Sequence, residues 1–246
     1  MKARAGIPLD AVVKTALLPL LVAQGGWARW RAGRLPEPPG PRNGVTGTGR
    51  GLSLLVVGDS SAAGVGAAHQ DQALMGRLVA GLAPDFRLRW RLEARTGDTT
   101  ACALTRLEQV APERFDMALV VLGVNDVTGG LSLARLLHRR ARLHALLRQK
   151  FHAKRIIASG LPPVGSFPAL PNPLAWVLGQ QVTRFDAALQ VQAAHEGVEY
   201  IPFDIPFRPE LMASDGFHPG PEAYRLWAGM LMPHMRGKAG PADPPA

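Results

Sequence analysis

Cysteine is almost absent. Cys102 is the only one in 246 residues, which excludes an internal disulfide framework and any cysteine-cluster zinc or iron–sulfur centre. Aromatic residues are sparse at 6%, with two tyrosines, and without a recognisable nucleic-acid module this composition argues against a nucleic-acid partner. No apolar run reaches the roughly 18 to 20 residues that a spanning helix needs. The seven histidines include no HExxH or comparable pair, so the sequence calls for no metal and no cofactor. Acidic residues are outnumbered, 19 against 28 basic, and the net charge of +9 favours anionic surfaces without specifying one. What is plentiful is apolar: 47% hydrophobic against 19% charged residues can supply a buried core.

The N-terminal stretch Ala16, Leu17, Leu18, Pro19, Leu20, Leu21, Val22, Ala23 follows Lys2, Arg4 and Lys14 and precedes Arg29, Arg31 and Arg34. A short apolar core behind basic residues fits a degenerate signal peptide, although Pro19 interrupts it and no distinct cleavage site follows. Trp27 and Trp30 among arginines fit an interfacial anchor, since indole rings and basic side chains both settle at headgroup depth. A helix packed on the back of the domain is the third reading. The location therefore stays open between cytoplasm and periplasm, with membrane association through the N-terminus. Residues 34–50, rich in Pro and Gly without helical or strand periodicity, read as a linker. The expected organisation is an N-terminal extension over 1–50, a catalytic domain over 51–236 and a disordered tail over 237–246.

Beyond Gly51, short apolar runs alternate with longer amphipathic ones. Strands are expected at Leu52 to Val57, Leu88 to Leu92, Met117 to Leu122, Arg155 to Ser159 and Val198 to Ile201. Helices are expected near Gln72 to Leu82, Thr100 to Val110, Leu131 to Lys150, Leu174 to His195 and Pro221 to Met235. Continuous apolar strands alternating with helices predict an α/β fold, a three-layer αβα sandwich around a five-stranded parallel sheet. Ligands of such sheets bind at the carboxyl ends of the strands. In the third of these helices, Leu131 to Lys150, Leu133, Leu136, Leu137 and Leu147 form a core side, and Arg135, Arg139 and Arg142 a charged one. His138, His144 and His152 read as solvated positions around this basic helix.

Four segments carry chemistry. The first strand runs into Gly58-Asp59-Ser60-Ser61-Ala62-Ala63-Gly64-Val65-Gly66. A serine there can expose its hydroxyl while the following turn offers backbone N–H groups to an oxyanion. The segment lacks the Gly-Lys-Ser/Thr ending of a phosphate loop and a clean GxGxxG. After the second strand, Gly97 in Arg95-Thr96-Gly97-Asp98-Thr99-Thr100 lets a backbone N–H approach a reacting oxygen, and Thr99 or Thr100 can cap the next helix. The third strand ends in Gly123-Val124-Asn125-Asp126, whose Asn125 amide can donate a second hydrogen bond, though such a pair also suits a turn. Before the last helix stands Asp215-Gly216-Phe217-His218: a histidine to serve as general base and a carboxylate to orient it.

Taken together and in this order, the four segments resemble the blocks of the SGNH hydrolases, the GDSL lipase/esterase family. Gly97 to Ala101 is similar to the thioesterase I and lysophospholipase branch, and the likeness spans about Leu52 to Arg236. Ser61 stands where that family usually carries its name-giving leucine. The resemblance implies Ser60 as nucleophile, His218 as base and Asp215 as its orienting partner. It also implies an oxyanion hole from the Ser60 and Gly97 N–H groups and the Asn125 side chain. The expected reaction is hydrolysis of a carboxylic ester or thioester of a small-molecule substrate with a short- to medium-chain acyl group, with a carbohydrate O-acetylesterase as the alternative. The proline-rich stretch from Leu161 to Pro173 follows the fourth strand, so Phe167, Leu170, Leu174 and Trp176 are expected to line a preformed acyl pocket, with capping of the core as the other reading. The basic stripe and N-terminal arginines also suit a peripheral contact with anionic lipid.

Overall fold

A computed structural model of the chain describes residues 9–32, 35–206 and 208–237. Its helices are α1 (Leu9–Ala16), α2 (Leu18–Ala32), α3 (Ser60–Ala63), α4 (Leu74–Leu82), α5 (Thr100–Gln109), α6 (Val124–Thr128), α7 (Leu133–Gln149), α8 (Leu174–His195) and α9 (Pro221–Gly237). Its strands are β1 (Asn43–Thr46), β2 (Arg50–Gly58), β3 (Phe86–Ala94), β4 (Met117–Val121), β5 (Arg155–Ser159) and β6 (Glu199–Ile201), joined in the order β1-β3-β2-β4-β5-β6.

The five expected strands form the parallel part of the sheet. Apolar side chains fill both faces of β2. Leu54 and Val56 pack with Leu78 and Leu82 of α4 and Trp227 and Leu231 of α9, whereas Leu55 and Val57 face Leu107 of α5 and Leu143 and Leu147 of α7. Each fully buried Leu or Val contributes about 1.5–3 kcal/mol relative to exposure, so these two layers hold the sandwich together. A third apolar cluster lies between α8, the 164–167 turn and the N-terminal helices, and includes Leu21.

The sheet has six strands, not the five expected. β1 pairs antiparallel with β3 at the edge, inside the stretch that reads as a linker. Its four residues bury only alternate positions partially, so the sequence carries no apolar run to announce it. Gly47 makes the turn that follows. Its φ is +79°, and a Cβ there would lie 2.1 Å from the Phe86 carbonyl oxygen. A boundary at Gly51 would therefore cut β1 from its sheet. At the other end α9 reaches Gly237, and the rest of the expected tail, 238–246, lies outside the described residues.

The basic helix also departs from expectation. Arg140 and His144 of α7 are buried along with its leucines. His144 Nδ1 lies 2.5 Å from Glu196 Oε2, and burial pushes the imidazole down to about 4 despite that partner, so it packs as a neutral ring rather than a solvated one. Arg140 donates to the Leu122 carbonyl at 2.8 Å, beneath the loop that follows β4.

A chain beginning at Gly51 leaves β3 as an open edge. It is expected to melt several degrees below a chain beginning at Leu35, each 1 kcal/mol corresponding to roughly 2 to 4 °C at this size. Equal melting temperatures by calorimetry would place residues 35–50 outside the folded unit.

Candidate active site

Gly58, the last residue of β2, pairs with Ala94 at the end of β3 and Val121 at the end of β4. Three loops therefore leave the sheet from one edge, carrying Ser60, Gly97 and Asn125. Gly58 must be glycine for packing: an added Cβ would fall 2.2 Å from the Ala62 Cβ and 2.8 Å from the Val121 carbonyl oxygen. Asp59 then caps α3, accepting from the Ser61 N–H at 3.0 Å. Ser60 is the first residue of this helix, so its N–H has no intrahelical acceptor.

His218 Nε2 lies 2.9 Å from Ser60 Oγ, and His218 Nδ1 lies 2.5 Å from Asp215 Oδ2. The other carboxylate oxygen of Asp215 accepts from the Phe217 and His218 N–H groups at 2.9 and 3.0 Å. One carboxylate thus folds its own turn and orients the ring. Partial burial works to raise Asp215, but the bonds from the His218 ring and from the two N–H groups hold its carboxyl below the ordinary range. An ionised Asp215 fixes the proton on Nδ1 and leaves the Nε2 lone pair facing the serine hydroxyl.

The Asn125 side chain donates to the Asp98 carbonyl at 3.0 Å. That bond uses one of its two amide hydrogens. Asp126, fully buried, accepts from both the N–H and the hydroxyl of Thr100 at 2.9 and 2.8 Å. These bonds tie the Asn125 loop to the Gly97 loop. Gly97 has a φ of +83° with open space around it, so backbone conformation rather than crowding favours glycine. Thr99 caps α5 through its side chain, as one of the two expected caps.

The segment read as a linker contributes here too. Glu37 Oε1 accepts from the Thr96 N–H at 2.7 Å and the Thr96 hydroxyl at 2.9 Å, while Glu37 Oε2 accepts from Arg42 at 2.8 Å. Arg42 also donates to the Ala94 carbonyl. Residues 37–42 therefore grip the loop just before Gly97. Partial burial pushes Glu37 up, but its bonds with Thr96 and Arg42 outweigh this and hold the carboxyl low.

Ser60 and Asn125 open into one mostly apolar cavity, walled by Phe167, Phe203, Ile205, Leu211, Met212 and Phe217 among others. Of the residues expected to line it, Phe167 does so, packed edge-on against Phe217 at 5.2 Å. Leu170, Leu174 and Trp176 are not in the wall. Leu174 is buried in the third cluster, Leu170 packs against it, and Trp176 is 39% exposed. Trp176 falls out of phase with the inward row of α8, which includes Leu174, Leu178, Val182 and Phe185. The wall that sequence reasoning missed is Phe203, Ile205, Pro206, Arg208, Leu211 and Met212. Its signal is position: the run follows the last strand and repeats the Pro-aromatic character of 162–173. Among the described residues no group of three or more His, Cys, Asp or Glu is set to hold a metal ion.

Residues 56–226 match the sequence profile of the GDSL-like Lipase/Acylhydrolase family. The GDSL-like esterase Rv1075c of Mycobacterium tuberculosis is 28% identical over 240 residues, covering 88% of this chain and 76% of that protein. Among solved structures, TesA superposes with a TM-score of 0.60 at 25% identity, over 75% of this chain and 98% of that one. The acetylxylan esterase Axe2 of Geobacillus stearothermophilus superposes with a TM-score of 0.58 at 16% identity, over 77% of this chain and 96% of that one, a likeness of fold.

Two outcomes follow from this geometry. Glu37→Ala frees the loop before Gly97 and is expected to lower kcat about tenfold with little change in KM, the signature of a lost transition-state interaction; an unchanged kcat for ester hydrolysis would remove the strap from the site. Burial raises the Asp59 carboxyl to about 7. Its folded pKa thus lies above the unfolded value, so its protonated form favours folding, and that contribution is present below about pH 4 and lost as pH rises through about 7. Between pH 5 and 8 the wild type should therefore lose stability relative to Asp59→Asn, by at most about 1.4 kcal/mol per pH unit. Parallel denaturant curves across that range would refute the assignment.

Proposed function

The chain belongs to the GDSL-like lipase/acylhydrolase family, whose members are ester hydrolases, and from that premise we propose that it cleaves carboxylic esters of short- to medium-chain acyl groups through a Ser60–His218–Asp215 triad. The observation that carries this reading is the continuous chain of contacts from Asp215 through His218 to Ser60, ending at an apolar cavity. Ser60 Oγ attacks the carbonyl carbon as its proton passes to His218 Nε2, and ionised Asp215 stabilises the imidazolium. The tetrahedral oxyanion is met by the Ser60 and Gly97 N–H groups and by the free amide hydrogen of Asn125. Collapse expels the alcohol, or the thiol of a thioester, which takes its proton from His218. Water then hydrolyses the acyl-enzyme by the same steps in reverse roles.

The acyl chain belongs against Phe167, Phe203, Ile205, Leu211 and Met212, because burying each methylene contributes about 0.8 kcal/mol. A wall of this kind favours acyl chains over polar sugars. A peripheral contact with anionic membrane is part of the same reading, since it would bring the enzyme to lipid-derived esters.

Hydrolysis of p-nitrophenyl esters from acetate to dodecanoate tests the proposal. Ser60→Ala should abolish it, and Asn125→Ala should lower kcat by about 10² to 10³ with a smaller effect on KM. Phe203→Ala should shift the preferred chain length, and Trp176→Ala should leave it unchanged. Activity confined to acetate would turn the assignment to an O-acetylesterase, and activity surviving in Ser60→Ala would end the triad.

A further inference from the structure

Nine large apolar side chains are exposed among the described residues, and six of them lie between Leu17 and Trp30: Leu17, Leu18, Leu20, Val22, Trp27 and Trp30. This concentration sets α2 and the turn before it apart from every other described element. Its inward row is short, Leu21 and Ala28 being buried, with Gln24 between them donating to the Asn172 carbonyl at 2.7 Å and accepting from the Leu174 N–H at 3.1 Å. A helix that is apolar on nearly every side normally has both faces covered by protein or lipid. Here one face is covered by α8 and its approach, and the outward face is a sheet of leucine, valine and tryptophan.

We infer that the outward face of α2 is a docking surface for a bilayer bearing anionic headgroups. Charge and side-chain chemistry both select that occupant. From residue 11 to residue 36 the sequence contains no Asp or Glu, while Lys14, Arg29 and Arg31 flank the apolar patch. Trp27 and Trp30 stand at its basic end, with the Arg31 guanidinium 5.1 Å from the Trp27 ring, the pairing of indole and cation that suits headgroup depth. No described helix is long and apolar enough to cross a membrane, so the helix lies on the surface. A second copy of the chain would bring its own Lys14, Arg29 and Arg31 against these same cations.

The surface is connected to the acyl cavity. Leu21 belongs to the cluster containing Val164, Phe167 and Leu174, and Phe167 is part of the cavity wall. Trp176, two residues beyond the Gln24–Leu174 contact, is a further exposed aromatic. Docking by α2 thus sets the bilayer beside the proline-rich rim of the cavity. The inference rests on the acyl-ester reading for its purpose, but its physical content is membrane binding and can fail alone.

The test is co-sedimentation of the full chain with vesicles of phosphatidylcholine, with and without phosphatidylglycerol, at low and high salt. The wild type and Ser60→Ala should both bind the anionic vesicles at low salt and be released by high salt. The double variant Trp27→Ser, Trp30→Ser should bind at least about tenfold more weakly, while hydrolysing a soluble ester at the wild-type rate, which shows that it folds. Failure of the wild type to bind anionic vesicles at low salt would overturn the inference, as would unaltered binding by the double variant. A concentration-dependent dimer in light scattering that the double variant abolishes would give the face to a second copy instead.

Discussion

The in-register ends of β2, β3 and β4 are the constraint on which the site depends. Neighbouring strands lie about 4.8 Å apart, so the loops after Gly58, Ala94 and Val121 leave the sheet within roughly 10 Å of one another. Side-chain alternation cannot fix that register by itself, because β2 is apolar on both faces and a one-residue slip would only exchange one set of leucines and valines for the other. Polar contacts fix it. At the start of β4, Asp116 accepts from the N–H and hydroxyl of Ser53 at 2.9 and 2.7 Å, and the Ser53 hydroxyl accepts from the Asp116 N–H at 2.8 Å. At the other end Asp126 holds Thr100. A slip would leave these groups unpaired in or near the core, where each unsatisfied polar group costs about 1–3 kcal/mol.

The floor of the site is unusually rich in buried charge. Asp59, Asp98 and Asp126 lie under the three loops, with Arg106 bonded to Asp98 and Arg140 buried behind the β4 loop. Asp59 shows how these charges are balanced: burial raises it to about 7, the Ser61 N–H and His218 draw it down, and Asp126 and Asp98 push it up again. Only Asp215 faces His218 directly, and three donors keep it ionised. The division is functional in the proposed mechanism. A carboxylate that must stabilise an imidazolium is held low and keeps its charge, while burial raises the carboxyl next to Ser60.

Much of this was legible in the sequence, and the rest was hidden for identifiable reasons. The five parallel strands and the helices over 74–82, 100–109, 133–149, 174–195 and 221–237 follow from apolar runs and 3.6-residue periodicity. Ser60, His218 and Asp215 could be named because each stands at a strand end or turn in a spaced motif, and the structure sets them within hydrogen-bond reach. β1 could not be read, since a half-exposed edge strand of four residues carries almost no pattern. The cavity wall of Phe203, Ile205, Pro206, Arg208, Leu211 and Met212 follows neither a helical nor a strand period. Trp176 misled because its place after the fourth strand suggested a pocket wall, whereas the phase of α8, legible from the same residues, turns it outward. His144 misled for the opposite reason: an arginine-rich helix suggested solvent, yet the ring is buried and Glu196, just past the end of α8, supplies a half-buried partner.

The residues that precede the family match reach the site from two directions by two kinds of force. Glu37 and Arg42 act through charge-assisted hydrogen bonds on the loop before Gly97, which are short-ranged and directional. Leu21 acts through apolar packing behind the Phe167 wall, which tolerates small shifts. Pro36 stands between the two and Pro38 and Pro39 lie within the strap itself, where fixed φ angles make the stretch stiff. The Pro39 carbonyl accepts from the Gln70 N–H at 3.0 Å, and the Gln70 side chain donates to the Ala63 carbonyl at 2.7 Å, at the end of the helix that begins with Ser60. The strap is therefore pinned independently of α2. Movement of α2 against a lipid surface would be felt by the Phe167 wall of the cavity, while the Gly97 loop, anchored by its own polar bonds, would stay in place.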